Sequence, residues 1–164
     1  MYTISQYDSN YYREKIEAYG NTVYKICRLY LKENADIEDV FQKVFLKLIE
    51  KKPSFKDNNH EHAWFIKVTA NTCKDFLKSY WNKNTVPIND IDSATEDIEL
   101  SEVFEAVFSL EPKYKIVIYM YYYEGYSTSE ISNILKVNQA TIRTRLKRAR
   151  DKLKNKLERD EFYE

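Results

Sequence analysis

The stretch from Tyr126 to Leu157, YSTSEISNILKVNQATIRTRLKRARDKLKNKL, constrains the fold more than any other part of this 164-residue chain. Ser127 followed by Glu130 has the form of a capping box, in which each side chain covers an orphan amide at a helix start. Behind it Ile131, Ile134 and Leu135 fall on one helical face, and Lys136-Val137-Asn138 interrupts the pattern. Asn138 can cap a second helix, on which Ile142, Leu146, Ala149, Leu153 and Leu157 form a single apolar stripe. A short helix, a three-residue turn and a longer basic helix together read as a helix-turn-helix.

The rest of the chain follows the same period. It has only two glycines and three prolines, so few points can break a helix, and an all-α protein is expected. With 43% hydrophobic and 32% charged residues, the composition is that of a globular protein and excludes a disordered one. No apolar run approaches the ~20 residues that span a bilayer, so membrane insertion is not expected. The start, MYTISQYDSNYYREK, lacks a basic-then-apolar signal pattern, and a cytoplasmic location is expected. Cys27 and Cys73 have no metal-ligand spacing and read as reduced core residues.

Net charge is zero, but the charge is segregated. Asp90 to Glu111 holds eight acids and no base, while Lys136 to Lys156 holds nine bases and one acid. Phosphate attraction acts over a Debye length of ~8–10 Å, so the local excess outweighs the global balance.

Taken in order, residues 7–32 form a helix, continuous or broken near Gly20, with a stripe of Tyr12, Ile16, Tyr19, Val23, Cys27 and Tyr30 or Leu31. Asn34-Ala35-Asp36 is expected to cap the next helix, 37–51, whose core side carries Ile37, Val40, Phe41, Val44, Phe45 and Leu48. Its opposite side groups Asp39, Gln42, Leu46 and Ile49. Two readings stand there: a docking surface for another helix, or a solvated face with two stray aliphatics. A loop spans Lys52-Pro53 and the polar run 56–59. The third helix, 61–82, has Phe65, Ile66, Thr69, Cys73, Phe76, Leu77 and Tyr80 on its core side. Its outer side carries Lys67, Asn71, Lys74 and Lys78, with Trp64 at the margin. Lysines can follow phosphates, an amide can read a base edge, and an aromatic can stack on an unpaired base. The alternative is a lysine-rich solvated face with Trp64 packed on a neighbouring helix.

Periodicity disappears over 83–100, which reads as an acidic linker between a first domain, 1–82, and a second, 101–164. The second opens with a helix around Val103, Val107 and Leu110, and Pro112 sits where the next can start. The run from Ile116 to Tyr123 has strand composition. It is expected to be helix all the same, since nothing nearby could pair with a strand. It would be apolar nearly all round, either deeply packed or part of a partner contact.

On the last helix Thr141, Thr144, Lys147 and Arg148 lie opposite the apolar stripe, with Arg143 and Arg145 on the flanks. Arginine suits guanine edges or phosphates, and threonine suits phosphates or a thymine methyl. A solvated basic face is the competing reading. Catalysis finds little support. His60 and His62 are ~200° apart on a helix and cannot grip one metal from one face. No metal, cofactor or small-molecule substrate is expected, and the chain does not read as an enzyme.

Two motifs now carry a resemblance. Ala35-Asp36-Ile37-Glu38-Asp39-Val40-Phe41-Gln42-Lys43-Val44-Phe45 resembles the D-x-E-D-hydrophobic-x-Q-x-x-F signature of sigma-70 superfamily sigma factors, followed by Ala63 to Asn71, which resembles their aromatic, Asn-bearing helix. Glu130-Ile131 through Thr141 to Arg150 resembles their closing E-I-x-x-x-L…T-V-x-x-R-L-x-R-A-R. The order and spacing, over about residues 10–157, are similar to the extracytoplasmic-function (ECF) group. The resemblance implies a region 2-like and a region 4-like domain, and a targeting role without chemistry. The partners it implies are core RNA polymerase (clamp coiled coil and flap), promoter DNA and an anti-sigma factor. Asp39, Gln42, Leu46 and Ile49 would bind the polymerase. Trp64, Lys67, Asn71, Lys74 and Lys78 would hold the −10 element, with Thr141, Arg143, Thr144, Arg145, Lys147 and Arg148 on the −35 element. A stand-alone helix-turn-helix repressor or activator is the alternative. Lys136 stands where the family usually has glycine, which implies a differently shaped turn or strain of roughly 1–2 kcal/mol.

Overall fold

Three long amphipathic helices build the first half of the chain. They are α1 (Gln6–Tyr30), α2 (Asn34–Lys51) and α3 (Asn58–Lys83) in a computed structural model that describes residues 6–83 and 102–162. Each helix packs against the other two. Val23, Ile26 and Cys27 of α1, Val40, Val44 and Leu48 of α2, and Phe65, Ile66 and Cys73 of α3 are wholly or almost wholly shielded from water. Burying each of the larger side chains contributes ~1.5–3 kcal/mol. Phe65 sits at the middle, stacked on Tyr19 at 4.4 Å and tilted against Phe45 at 5.5 Å between ring centres.

α1 runs through Gly20 without a break. A Cβ there would lie 3.6 Å from the Phe41 ring, so the glycine lies against α2. Its helix cost of ~1 kcal/mol is small beside the packing it joins. The buried stripe follows Tyr19, Val23, Ile26, Cys27 and Tyr30, which leaves Ile16 at its margin, 43% exposed rather than in the core.

Two helix starts differ from expectation. The N-cap of α2 is Glu33, in extended conformation and with no side-chain cap, so Asn34, Ala35 and Asp36 already lie within the helix. α3 starts inside the polar run read as loop, because the Asp57 carboxylate accepts from the His60 amide at 2.8 Å. His60 Nδ1 in turn accepts from the Lys56 amide at 3.1 Å. Tyr80, assigned to the core by periodicity, is 40% exposed.

In the second half, α4 (Glu102–Phe108) and α5 (Pro112–Ile118) precede a π-helical turn, Tyr119–Tyr123. Then come α6 (Thr128–Leu135) and α7 (Gln139–Phe162). Pro112 occupies the first turn of α5, where its missing N–H costs nothing. The strand-like run is helical, and its two halves differ. Ile116 to Met120 are buried, while Tyr121, Tyr122 and Tyr123 are exposed. The wider turn shows in the Glu124 amide, which reaches back to the Tyr119 carbonyl at 3.1 Å. Tyr119 donates its hydroxyl to Glu124 Oε1 at 2.6 Å, and burial, first, with that bond raises its pKa.

α7 lays Ile142, Leu146 and Ala149 against this unit, all buried, with Leu153 and Leu157 half-buried. Val103 is 56% exposed, so α4 uses Ala106 and Val107 for the core instead. The chain divides into units Met1–Ser93 and Ala94–Glu164. The expected linker, 83–100, lies outside the described residues apart from Lys83, which ends α3. Among the described residues no strand occurs and no helix is long and apolar enough to cross a membrane.

An ion pair joins α1 and α3 in the first unit. Lys15 of α1 pairs with Glu61 of α3, whose side chain is 7% exposed. Burial lowers the Lys15 pKa, but the bond and charge of Glu61 outweigh it and hold the ammonium above its ordinary value. Removing one partner strands a buried charge. Lys15→Met should therefore destabilise the first unit by ~3 kcal/mol, and the double change Lys15→Met with Glu61→Met should recover most of that loss. Urea unfolding followed by tryptophan fluorescence reads this unit alone, since both tryptophans, Trp64 and Trp81, belong to it. Losses that simply add would show that the pair is not coupled.

Candidate nucleic-acid and partner interfaces

The helix-turn-helix is fixed by local bonds at each joint. The Glu130 amide donates to Ser127 Oγ at 3.1 Å, and the Ser127 amide donates to Glu130 Oε1 at 3.2 Å, completing the capping box. α6 ends at Lys136, which is left-handed at φ 57° and ψ 42°. The amides of Lys136 and Val137 both turn back to the Ser132 carbonyl, and the Ser132 hydroxyl donates to the Val137 carbonyl at 2.5 Å. Asn138 Oδ1 accepts from the Ala140 amide at 2.8 Å and so caps α7. Gln139 Nε2 donates to Thr128 Oγ1 at 3.1 Å, tying the two helix starts together. Of the two readings of the turn, the ordinary shape with a strained lysine is the one found. Ser132, Gln139 and Thr128 went unnoticed in the sequence because their bonds join residues that no period links.

With the apolar stripe buried, Thr141, Arg143, Thr144, Lys147 and Arg148 are exposed on α7, and Arg145 is half-buried at the flank. Thr144 is exposed and donates its hydroxyl to the Ala140 carbonyl at 3.0 Å. Arg150 reaches the Tyr122 hydroxyl at 3.1 Å.

On α3, Asn71 and Lys78 are exposed, and Lys67, Lys74 and Trp64 are half-buried. Trp64 packs edge-on against Phe65 of its own helix at 5.0 Å and against Phe55 of the preceding loop at 5.7 Å. Phe55 also meets His60 edge-on, so the 52–57 loop holds an aromatic beside the lysine face.

α2 and α3 enclose a groove of about 570 Å³. Asp39, Lys43, Leu46, Lys47 and Glu50 line it from α2, with Phe76, Ser79 and Tyr80 among those from α3. Leu46 is 51% exposed there. Lys43 bonds Asp39 at 3.0 Å and lies 5.5 Å from the Phe76 ring centre, while Lys47 donates to Thr72 Oγ1 at 2.9 Å. The structure thus brings Asp39 and Leu46 into one groove. It leaves Gln42, exposed, and Ile49, half-buried, outside that lining. Phe76 and Tyr80 were overlooked because helical spacing placed both in the core. Asp36, in the first turn of α2, has its pKa raised by burial and by the nearby Glu33 and Asp39 carboxylates. Its protonated form is therefore favoured by folding, a contribution that fades as pH rises through the carboxylate range.

Comparison with known families now bears on these faces. The family model "Sigma-70 region 2" matches residues 16–83, and "Sigma-70, region 4" matches residues 101–153. The chain belongs to the sigma-70 family. This family member is 25% identical to the ECF RNA polymerase sigma-E factor of Haemophilus influenzae, over 94% of its length and 92% of the relative's. It is 27% identical to the sigma-E factor of Escherichia coli K12, over 76% of its length and 75% of the relative's. Two solved structures share its fold. The sigma factor RpoE of Bartonella quintana, in complex with the anti-sigma factor NepR, matches with a TM-score of 0.71 at 18% identity, covering 89% of this chain and 96% of that one. CnrH, in complex with the cytosolic domain of CnrY, matches with a TM-score of 0.67 at 19% identity, covering 93% and 90%.

The left-handed Lys136 supplies a direct check on the turn. Lys136→Gly should stabilise the second unit by about 0.5–1 kcal/mol: relief of the left-handed strain, less the greater entropy glycine gives the unfolded chain. Hydrogen exchange of the α6 and α7 amides measures it, and unchanged protection would contradict the strain.

Proposed function

We infer that the protein is an ECF-type sigma factor, which binds core RNA polymerase and directs it to promoters. The observation that carries this reading is the occurrence, in one chain, of an exposed mixed polar and apolar groove face and a separate basic helix-turn-helix. A repressor needs only the second. The domain limits are 1–82 and 101–164, joined by 83–100, and the protein works in the cytoplasm. It does no chemistry of its own; bond formation belongs to the polymerase.

The groove side of α2, with Asp39 and Leu46, and the neighbouring Gln42 and Ile49 dock on the clamp coiled coil of the polymerase. Leu46 supplies apolar area, and Asp39 and Gln42 supply orientation. The outer face of α3 holds the −10 element. Lys67, Lys74 and Lys78 follow the backbone, Asn71 reads a base edge, and Trp64 borders the unpaired strand. Lysine at these positions favours point-charge contacts with phosphate over bidentate ones. The exposed residues of α7, flanked by Arg145, read the −35 element in the major groove. Two modest DNA contacts held by one polymerase combine through effective concentration, so neither need be tight alone. The RpoE of Bartonella quintana is bound to an anti-sigma factor, and an anti-sigma partner controls this protein too.

Pull-down of the full chain with core polymerase tests the reading; a chain that binds promoter duplex but not core is a stand-alone regulator. Gln42→Ala with Leu46→Ala should weaken core binding at least about tenfold, or ~1.4 kcal/mol, and leave the helix-turn-helix contact with DNA intact. Arg148→Ala should cost ~1–3 kcal/mol on the cognate −35 sequence and little on unrelated duplex, measured by anisotropy of the holoenzyme on labelled DNA. Equal losses on both would place Arg148 among the phosphate contacts.

A further inference from the structure

The chain has two cysteines, 46 positions apart on different helices, and their side chains meet. Cys27 Sγ of α1 and Cys73 Sγ of α3 are 3.9 Å apart, and neither residue has any exposed surface. No disulfide joins them. Free cysteine is often buried as a small apolar residue, so burial alone accounts for one cysteine at each position. It gives no reason for the chain's whole complement of sulfhydryls to converge on one contact. A disulfide needs its sulfurs about 2.05 Å apart, so closing the bond from 3.9 Å requires the side chains and their helices to move.

We propose that Cys27 and Cys73 form an oxidation site, at which hydrogen peroxide converts the two thiols into an intramolecular disulfide tying α1 to α3. One sulfur attacks a peroxide oxygen, the O–O bond breaks, and a sulfenic acid forms with release of water. The second sulfur attacks the sulfenic sulfur, the S–O bond breaks, and a second water leaves with the remaining thiol proton. Two electrons pass from the thiols to the peroxide, and nothing else is consumed. Proximity makes the second step intramolecular and favours closure over further oxidation.

Burial sets when this happens. A buried thiol is protected until the helices around it open, so the rate follows local opening of α1 or α3 rather than peroxide concentration alone. Once formed, the bond closes a loop that contains the whole of α2, and a loop of that length restricts the unfolded chain strongly. The site therefore couples oxidation to resistance against unfolding of the first unit. It is independent of which DNA or polymerase the chain binds.

The test uses the full chain, treated with hydrogen peroxide, quenched, unfolded and alkylated before mass spectrometry. The expected product has lost two hydrogens, takes up no alkylating agent, and yields a peptide pair linking Cys27 to Cys73. Dithiothreitol restores both thiols. The oxidised chain should also unfold at higher urea than the reduced one, followed by tryptophan fluorescence. Cys73→Ser should give oxygen-bearing Cys27 or a dimer instead of the hydrogen loss, and Cys27→Ala serves the same purpose should serine prevent folding. Two alkylatable thiols after treatment, separate over-oxidation of each sulfur, or linkage only between molecules would each overturn the proposal.

Discussion

The apolar stripe of α7 decides what the second unit can present. Ile142, Leu146 and Ala149 are buried at three- and four-residue steps, and that single choice of face turns Thr141, Thr144, Lys147 and Arg148 away from the protein. No ion pair is needed to aim these side chains. The stripe holds them at fixed angles and heights along the helix, and their aim follows from hydrophobic burial, which is not directional. The turn then has one task, to bring α6 alongside α7 in the correct register, and the bonds from Ser132, Asn138 and Gln139 accomplish it. Lys136 keeps the ordinary left-handed turn although a side chain is costly there. The surrounding bonds over-determine the conformation, so the sequence can hold a lysine in it.

The same logic governs the first unit with one difference. Its three helices bury most of what periodicity assigns to the core; Ile16 at the margin of α1 is one exception, and Tyr80, which lines the groove, is another. Leu46 is exposed on α2, and Phe76 and Tyr80 of α3 lie in the groove beside it. Leu46, 51% exposed, forgoes roughly half of the ~1.5–3 kcal/mol that full burial contributes. In the docking proposed above, the polymerase recovers it by covering the groove.

The helix-turn-helix was legible in the sequence because every feature of it is local: a capping box spans four residues, and a stripe repeats along one helix. The family resemblance rested on the same local motifs, and the matches to regions 2 and 4 agree with it. The groove was only half legible. Leu46 stood out, with Ile49, as an aliphatic on the face shared by Asp39 and Gln42. Phe76 and Tyr80 did not, because one helix's period cannot reveal where its neighbour stops covering it. Gly20 was ambiguous for a related reason. In sequence it resembles a break, and only the Phe41 ring beside it shows that the helix continues against α2. The start of α2 at Glu33 was hidden because no side chain marks it.

Charge segregation links the two units to one task. With no net charge the whole chain gains little from long-range attraction to DNA, and the basic excess on α7 acts only within a Debye length. Under the proposed function, a DNA reader without long-range attraction gains most of its promoter affinity once it is held on the polymerase. Under that same proposed function, the groove on α2 and α3 supplies by contact with the polymerase what the net charge does not. Affinity for the enzyme fixes the helix-turn-helix near its target, and the local arginines need only choose among sequences already within reach. On the reading proposed above, DNA contacts and a protein contact are two parts of one arrangement, and a zero net charge is compatible with it because the basic excess on α7 is local.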